Sequence, residues 1–239
     1  MLVSGPFMHA HAVWVRVSHW IVTAGVLTLG YTGFVILMAH PRLYWGDAGN
    51  DLTPALIELP ISRNYQHGGW AAATPLFEDR AAGPVSANRT YNIFNKNGWG
   101  RSLHFLAAWI VVLSSGVYFC LGVARGHFRA HIWPARAAIV APQSSADRQV
   151  RRDYSLQQKW VYSLVVFVAA PVIALTGLTM SPAVTAAFPL LLRAFGGYES
   201  ARTVHFFAFV AVALFLIVHV VMVVRSGFRR QIRSMTVGV

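Results

Sequence analysis

Four of the ten histidines in this 239-residue chain lie in long apolar runs, where an ionisable side chain is costly unless it has a partner. They are His19, His104, His205 and His219. His205 and His219 are fourteen residues apart in one run, so on an α-helix they leave the same stripe, roughly 21 Å apart along the axis. Neutral imidazole is the commonest protein ligand for metals. The four side chains therefore predict metal coordination at two separate depths.

The runs that carry these histidines are long enough to cross a bilayer as helices. The chain is 56% hydrophobic and 12% charged, with a mean hydropathy of +0.50, whereas an average soluble domain has about 25% charged residues. A spanning helix needs roughly 20 apolar residues. We therefore expect an all-α membrane protein, one domain over residues 1–239. It should be a four-transmembrane-helix bundle with helices at about residues 17–38, 102–124, 160–180 and 204–224.

Basic residues are distributed unevenly between the two ends of this bundle. The end with the termini has twelve basic and two acidic residues, and the other end has eight basic and six acidic residues. The positive-inside rule then predicts a multi-pass membrane protein with both termini cytoplasmic. The net charge of +12 is ascribed to this topology and to contact with the lipid membrane, and we expect no nucleic-acid partner.

Helix direction sorts the histidines by depth. His19 and His219 lie near the cytoplasmic side, whereas His104 and His205 open their helices on the outer side. Two imidazoles at one depth fill both axial positions of a haem iron and suit one-electron transfer, whereas zinc needs further ligands nearby. Cys120 is the only cysteine, which excludes covalent haem attachment through C-x-x-C-H. We expect two b-type haems; an interhelical hydrogen bond is the alternative for any single histidine.

Two arginines and several glycines lie close to these positions. Arg16 and Arg202 each precede a ligand by three residues and are candidates to bind haem propionates, or else interfacial side chains that reach headgroups. Glycines within the helices make room for a flat macrocycle or for a close helix neighbour. They are Gly25, Gly30, Gly33, Gly116, Gly122 and Gly177.

The motifs around the ligands carry a family resemblance over all four helices. Arg-x-x-His-Trp at 16–20, Trp-Gly-Arg-Ser-Leu-His-Phe at 99–105, and the two histidines of helix 4 resemble di-haem b-type cytochrome subunits of membrane-bound hydrogenases, formate dehydrogenases and thiosulfate reductases. These subunits belong to the bacterial cytochrome b561-like superfamily. His-Pro-Arg-Leu-Tyr-Trp-Gly at 40–46 is similar to the thiosulfate reductase branch.

This resemblance implies electron transfer between quinone in the membrane and a periplasmic redox partner, an oxidoreductase or a cytochrome. The oxidoreductase is often a molybdenum enzyme. The resemblance also implies a quinone site beside the inner haem. Polar candidates at the start of helix 3 are Tyr154, Gln157, Gln158 and Lys159, each of which could equally be an ordinary interfacial residue.

A long outer loop, residues 40–101, joins helices 1 and 2. Its six tyrosines and tryptophans and five prolines favour an ordered structure. We expect a cap over the outer haem that offers a docking face, or an aromatic lid that seals the haem from water.

Two other functions could also place histidines inside membrane helices. A proton or ion transporter is disfavoured because the four apolar runs contain no Asp or Glu. A stand-alone quinone reductase, taking electrons from superoxide or another small donor, fits the helices equally well, and the long loop favours a protein partner. The chain carries no dinucleotide fingerprint or nucleophile motif, so substrate chemistry other than that of quinone is assigned to another subunit.

Overall fold

The structure is a computed structural model that describes residues 12–49, 53–61, 97–129 and 156–238. Long helices dominate, with two very short strands on the outer side. The elements in chain order are α1 (Val13–Ala39), β1 (Arg42–Leu43), β2 (Ile57–Glu58), α2 (Asn97–Ala124), α3 (Leu156–Leu164), a π-helical turn (Val165–Ala169), α4 (Ala170–Thr179), α5 (Pro182–Ala187), α6 (Leu190–Ala194), α7 (Tyr198–Arg225) and α8 (Phe228–Thr236).

The predicted four-helix membrane fold is confirmed. Four helical spans are long and apolar enough to cross a bilayer: Val13–Ala39, Gly98–Ala124, Trp160–Thr179 and Tyr198–Arg225. Helices α1, α2 and α7 begin four to six residues before the predicted positions because their first turns are less apolar than the spans that follow. His104 and His205 each lie seven residues inside their helices, about two turns from the start.

The third membrane helix contains a local irregularity with a sequence cause. Pro171 lies in the first turn of α4, directly after the π-helical turn. Proline has no amide hydrogen, and its ring clashes with the carbonyl four residues earlier in a regular α-helix. The wider π-helical turn at Val165–Ala169 accommodates that clash and lets the helix continue across the membrane.

Close packing of the membrane helices is concentrated in two pairs, α1 with α2 and α4 with α7. Small residues bring α1 and α2 together, since an added Cβ at Gly25 would meet Val111, and one at Gly100 would lie 2.9 Å from Val35. The pairs meet each other through side chains. An added Cβ at Gly30 in α1 would lie 3.6 Å from the Phe209 ring of α7. The glycines thus serve helix packing at some positions, one of the two predicted roles.

The first part of the outer loop is folded against the start of α7. The Gly46 carbonyl accepts hydrogen bonds from the amides of Glu199 and Ser200, at 3.0 and 3.1 Å, and the Gly46 amide donates to Ser200 Oγ at 2.7 Å. Thr203 Oγ1 donates to the Tyr44 carbonyl at 2.6 Å. These bonds satisfy amides that a helix N-terminus otherwise leaves without partners.

Strands β1 and β2 add a short antiparallel ladder to this outer segment. Arg42 is opposite Glu58, and the two side chains form an ion pair at 3.8 Å. The predicted order of the loop is therefore seen at 40–49 and 53–61, and residues 50–52 and 62–96 lie outside the described part of the chain.

At the opposite end, helix α8 folds back toward the start of α1. Arg16 Nη1 donates to the Thr236 carbonyl and Trp20 Nε1 to the Met235 carbonyl, each at 2.9 Å. Both acceptors belong to the last turn of α8, whose carbonyls have no partner within the helix. The two side chains thus fasten α8 to α1.

Candidate functional site

Helix α7 brings its two histidines opposite one histidine from α1 and one from α2. The ring centres of His19 and His219 are 6.4 Å apart with planes inclined at 51°, and those of His104 and His205 are also 6.4 Å apart, at 63°. The fold therefore places together the two pairs that depth along the helices predicts.

The ring separation fits two imidazoles bound to opposite faces of one metal ion. A metal–imidazole bond of about 2 Å, with about 1.1 Å from nitrogen to ring centre, puts the two centres about 6.2 Å apart. Direct hydrogen bonding between two rings would bring them closer. Among the described residues no three His, Cys, Asp or Glu side chains converge on one point. Axial ligation of a haem needs two imidazoles on opposite faces, and ligation by these pairs stays a prediction.

Two threonines lie behind the outer pair. Thr32 Oγ1 in α1 is 2.9 Å from His104 Nδ1, and Thr176 Oγ1 in α4 is 3.0 Å from His205 Nδ1. Both threonines are completely buried. Each hydroxyl also donates to the carbonyl four residues earlier in its own helix, at 2.8 Å for Thr32 and 2.7 Å for Thr176.

The residue after each threonine is a glycine that leaves space for the imidazole. An added Cβ at Gly33 would lie 3.5 Å from His104 Cε1, and one at Gly177 would lie 3.3 Å from His205 Cε1. The next nearest ring atom is Nδ1 in both cases, at 3.9 Å for His104 and 3.7 Å for His205. A larger side chain at either glycine would press on the Cε1–Nδ1 edge of the imidazole and displace the ring.

Aromatic rings surround the inner pair. Phe215 stacks on His219 with ring centres 5.7 Å apart, and Tyr162 approaches the same imidazole edge-on at 6.5 Å. Trp20 lies perpendicular to His19 at 5.4 Å. The inner pair is therefore flanked by aromatic rings and stays partly exposed.

The two arginines predicted to lie near haem propionates bind backbone in this structure. Arg202 donates to the carbonyls of His40 and Arg42, at 2.6 and 3.0 Å, and to Glu199 Oε2 at 3.1 Å. Arg16 donates to α8 as described above. Both lie one turn from a ligand, and propionate binding by either stays a prediction.

The quinone candidates fall at the edge of the described residues. Tyr154 lies outside them, and Gln157, Gln158 and Lys159 occupy the first turn of α3, where the backbone alone is described. Sequence reasoning missed Thr32 and Thr176. The available signal was the Thr-Gly dipeptide, present at 32–33 and again at 176–177.

Comparison with known proteins agrees with this arrangement. The sequence model of a family described as prokaryotic cytochrome b561 matches residues 10–238. The chain belongs to that family. The family predicted from the histidine motifs is therefore confirmed. The protein is a multi-pass bacterial membrane cytochrome that uses b-type haem for electron transfer.

One similar protein comes from Azospira oryzae (strain ATCC BAA-33 / DSM 13638 / PS). It is named as a protein-methionine-sulfoxide reductase subunit, YedZ1, and is 27% identical over 219 residues, 89% of each chain. No solved structure matches the chain. The similarity extends over nearly all of the cytochrome b561 domain and is not confined to one helix.

Proposed function

We propose that this cytochrome carries electrons across the membrane through two b haems. His19 and His219 hold the inner haem, and His104 and His205 hold the outer one. The observation that carries this proposal is the pair of equal 6.4 Å ring separations, one near each end of α7. When bound, the haems supply one-electron redox chemistry with both axial positions filled.

The chain contributes the route between the two sites. His205 and His219 leave one stripe of α7 roughly 21 Å apart along the axis, so a single helix fixes the spacing of both metals.

At the inner end we propose exchange with quinone. Oxidation of one quinol releases two electrons and two protons, and the cytochrome accepts the electrons one at a time. Gln157, Lys159 and Tyr154 are the candidates to hydrogen-bond the quinone oxygens and to carry the protons. Both termini are assigned to the cytoplasmic side of the inner membrane.

At the outer end we propose a partner oxidoreductase in the periplasm. The name of the similar Azospira protein suggests a partner that reduces methionine sulfoxide in proteins, and the resemblance to related subunits suggests a molybdenum enzyme. Reduction of a sulfoxide to a thioether and water consumes two electrons and two protons, which matches the supply from one quinol. Trp45 and Leu56, 64% and 57% exposed on the ordered outer segment, support a docking role there.

Haem content tests the ligand assignment. His205→Ala should remove about half of the haem per chain and leave the inner spectrum, and His219→Ala should remove the other half. His127→Ala is the control, since His127 lies in a cytoplasmic-side aromatic cluster with Trp14 and Tyr118. Haem:protein ratios in His205→Ala equal to those of the parent would refute the assignment.

Two further measurements test the direction and the partner. Mixing a soluble quinol with the oxidised protein should reduce haem, and replacement of Gln157 with Leu should slow that step. Single cysteines in residues 40–49, introduced after Cys120→Ser, should react with an impermeant thiol reagent in intact cells. Labelling only after lysis would reverse the topology and place the partner in the cytoplasm.

A further inference from the structure

The two helix pairs present the same three-residue arrangement to the outer site. In α1 and α2 it consists of Thr32, Gly33 and His104, and in α4 and α7 of Thr176, Gly177 and His205. The hydroxyl-to-Nδ1 distances differ by 0.1 Å (2.9 and 3.0 Å) and the glycine-to-Cε1 distances by 0.2 Å (3.5 and 3.3 Å). The arrangement is thus duplicated, one copy on each side of the outer metal position.

The hydrogen-bond pattern sets the protonation of both rings. A threonine hydroxyl has one hydrogen, and in Thr32 and Thr176 that hydrogen is directed to the carbonyl four residues earlier. The hydroxyl oxygen is then an acceptor toward the imidazole. An acceptor beside Nδ1 needs a hydrogen on that nitrogen, so each ring donates from Nδ1.

We propose that Thr32 and Thr176 are positioning residues for the outer haem: they hold His104 and His205 as Nδ1–H tautomers and direct Nε2 of each toward the iron. This inference rests on the proposed haem assignment. The threonines act through the histidines and do not touch the iron. The glycines complement them because they leave room for the Cε1–Nδ1 edge of each ring, so that each imidazole can lie against its threonine.

The same hydrogen bonds tune the metal. An acceptor on Nδ1–H makes an imidazole a stronger electron donor, which favours the oxidised iron and lowers the reduction potential. Both axial ligands of the outer haem carry such an acceptor, so the two effects add on one iron. Removing either hydroxyl should move the potential of the outer haem to a more positive value, and removing both should move it further.

The experiment compares hydroxyl with methyl at each position in the full-length, haem-loaded protein. Thr32→Val and Thr176→Val keep the shape and remove the acceptor, and Thr32→Ser and Thr176→Ser retain it. Thr179→Val is the matched control, because Thr179 is also buried in α4 and bonded to a carbonyl four residues earlier, at 2.8 Å, with no histidine beside it. The readouts are the two midpoint potentials from an optical redox titration and the electron paramagnetic resonance signal of each oxidised haem.

We expect the valine variants to raise the outer potential and to change the outer resonance signal, which reports the angle between the ligand planes. The inner haem should be unaffected, and the serine variants and Thr179→Val should match the parent. Unchanged potentials and signals in both valine variants would overturn the proposal. A shift of equal size in Thr179→Val would also overturn it, since a general packing effect would then explain the result.

Folding and ligation are separated by the same set of variants. If Thr32→Val does not fold and bind haem, Thr32→Ala can be compared with Thr32→Ser, which tests the loss of the hydroxyl with smaller side chains. The spectrum of the inner haem then shows whether each variant has folded. The outcome also separates this inference from the proposed function. Retention of the outer haem in His205→Ala defeats the haem assignment, whereas normal haem with unshifted potentials in the valine variants defeats the positioning role alone.

Discussion

Replacement of Arg202 with Gln should release the ordered outer segment from α7. The guanidinium makes three hydrogen bonds: to the carbonyl of His40 at 2.6 Å, to that of Arg42 at 3.0 Å and to Glu199 Oε2 at 3.1 Å. No other described side chain joins these three acceptors. The variant leaves two carbonyls and one carboxylate without their donor, while the hydrogen bonds that join Gly46 and Tyr44 to α7 remain.

The size of the effect follows from these bonds. A hydrogen bond to a charged group contributes about 1.5–3 kcal/mol. The Arg202 side chain is 21% exposed, so water replaces part of each lost bond, and we expect a net cost of about 2–4 kcal/mol for local opening. Since about 1.4 kcal/mol corresponds to a tenfold change in an equilibrium constant, the open state should become roughly 30 to 700 times more populated.

Amide hydrogen exchange measures this opening directly. The amides of Leu56 and Leu59, bonded to the carbonyls of Leu43 and Pro41, should exchange faster in Arg202→Gln by that factor. Arg193→Gln, which removes an exposed arginine from α6, is the control for loss of charge on the same side. Unchanged exchange together with loss of the outer haem spectrum would refute this reasoning, because Arg202 would then act on the haem and not on the segment.

Three further outcomes are expected. Burial lowers the pKa of His40 from its usual 6.5, and two neighbouring arginines lower it further, so the folded segment binds fewer protons than the unfolded one. The stability of the segment should therefore fall as the pH drops below about 6.5. The measurement is amide exchange, corrected for the intrinsic exchange rate at each pH. His40→Gln should remove this pH dependence. Trp20→Phe removes a hydrogen bond to the last turn of α8 and should speed proteolysis within that helix and nowhere else. Gly177→Val should displace the His205 ring and lower haem content by about half, whereas Gly116→Val, with open space around it, should not.

Much of the architecture could be predicted because hydropathy and helical period are properties of the chain itself. A run of roughly 20 apolar residues has few stable alternatives to a helix in a bilayer. Direction then alternates from one helix to the next, which orders His19, His104, His205 and His219 by depth without any knowledge of packing. The predicted first residues of the helices were less accurate. The first turns of α2 and α7, which contain Trp99 and Glu199, are less apolar than the spans that follow them.

The partners of these histidines depended on how the helices are rotated and paired. Thr23, Thr28, Thr32, Thr176 and Thr179 all bond a carbonyl four residues earlier, as threonines in apolar helices commonly do. Thr32 and Thr176 differ from the other three in the glycine that follows them, and a glycine alone does not indicate a contact with a histidine. Thr32 meets His104 across 72 residues, and Thr176 meets His205 across 29. These two threonines contact a histidine because each helix is rotated about its axis so that the hydroxyl points toward the imidazole.

The arginines show the same division. Their position one turn before a candidate ligand was visible in the sequence, whereas their backbone acceptors lie 160 to 220 residues away, on a loop and on the C-terminal helix. A guanidinium at a membrane edge can bind lipid, cofactor or backbone with similar geometry. The choice among them depends on where distant chain segments come to rest, and that is a property of the folded molecule.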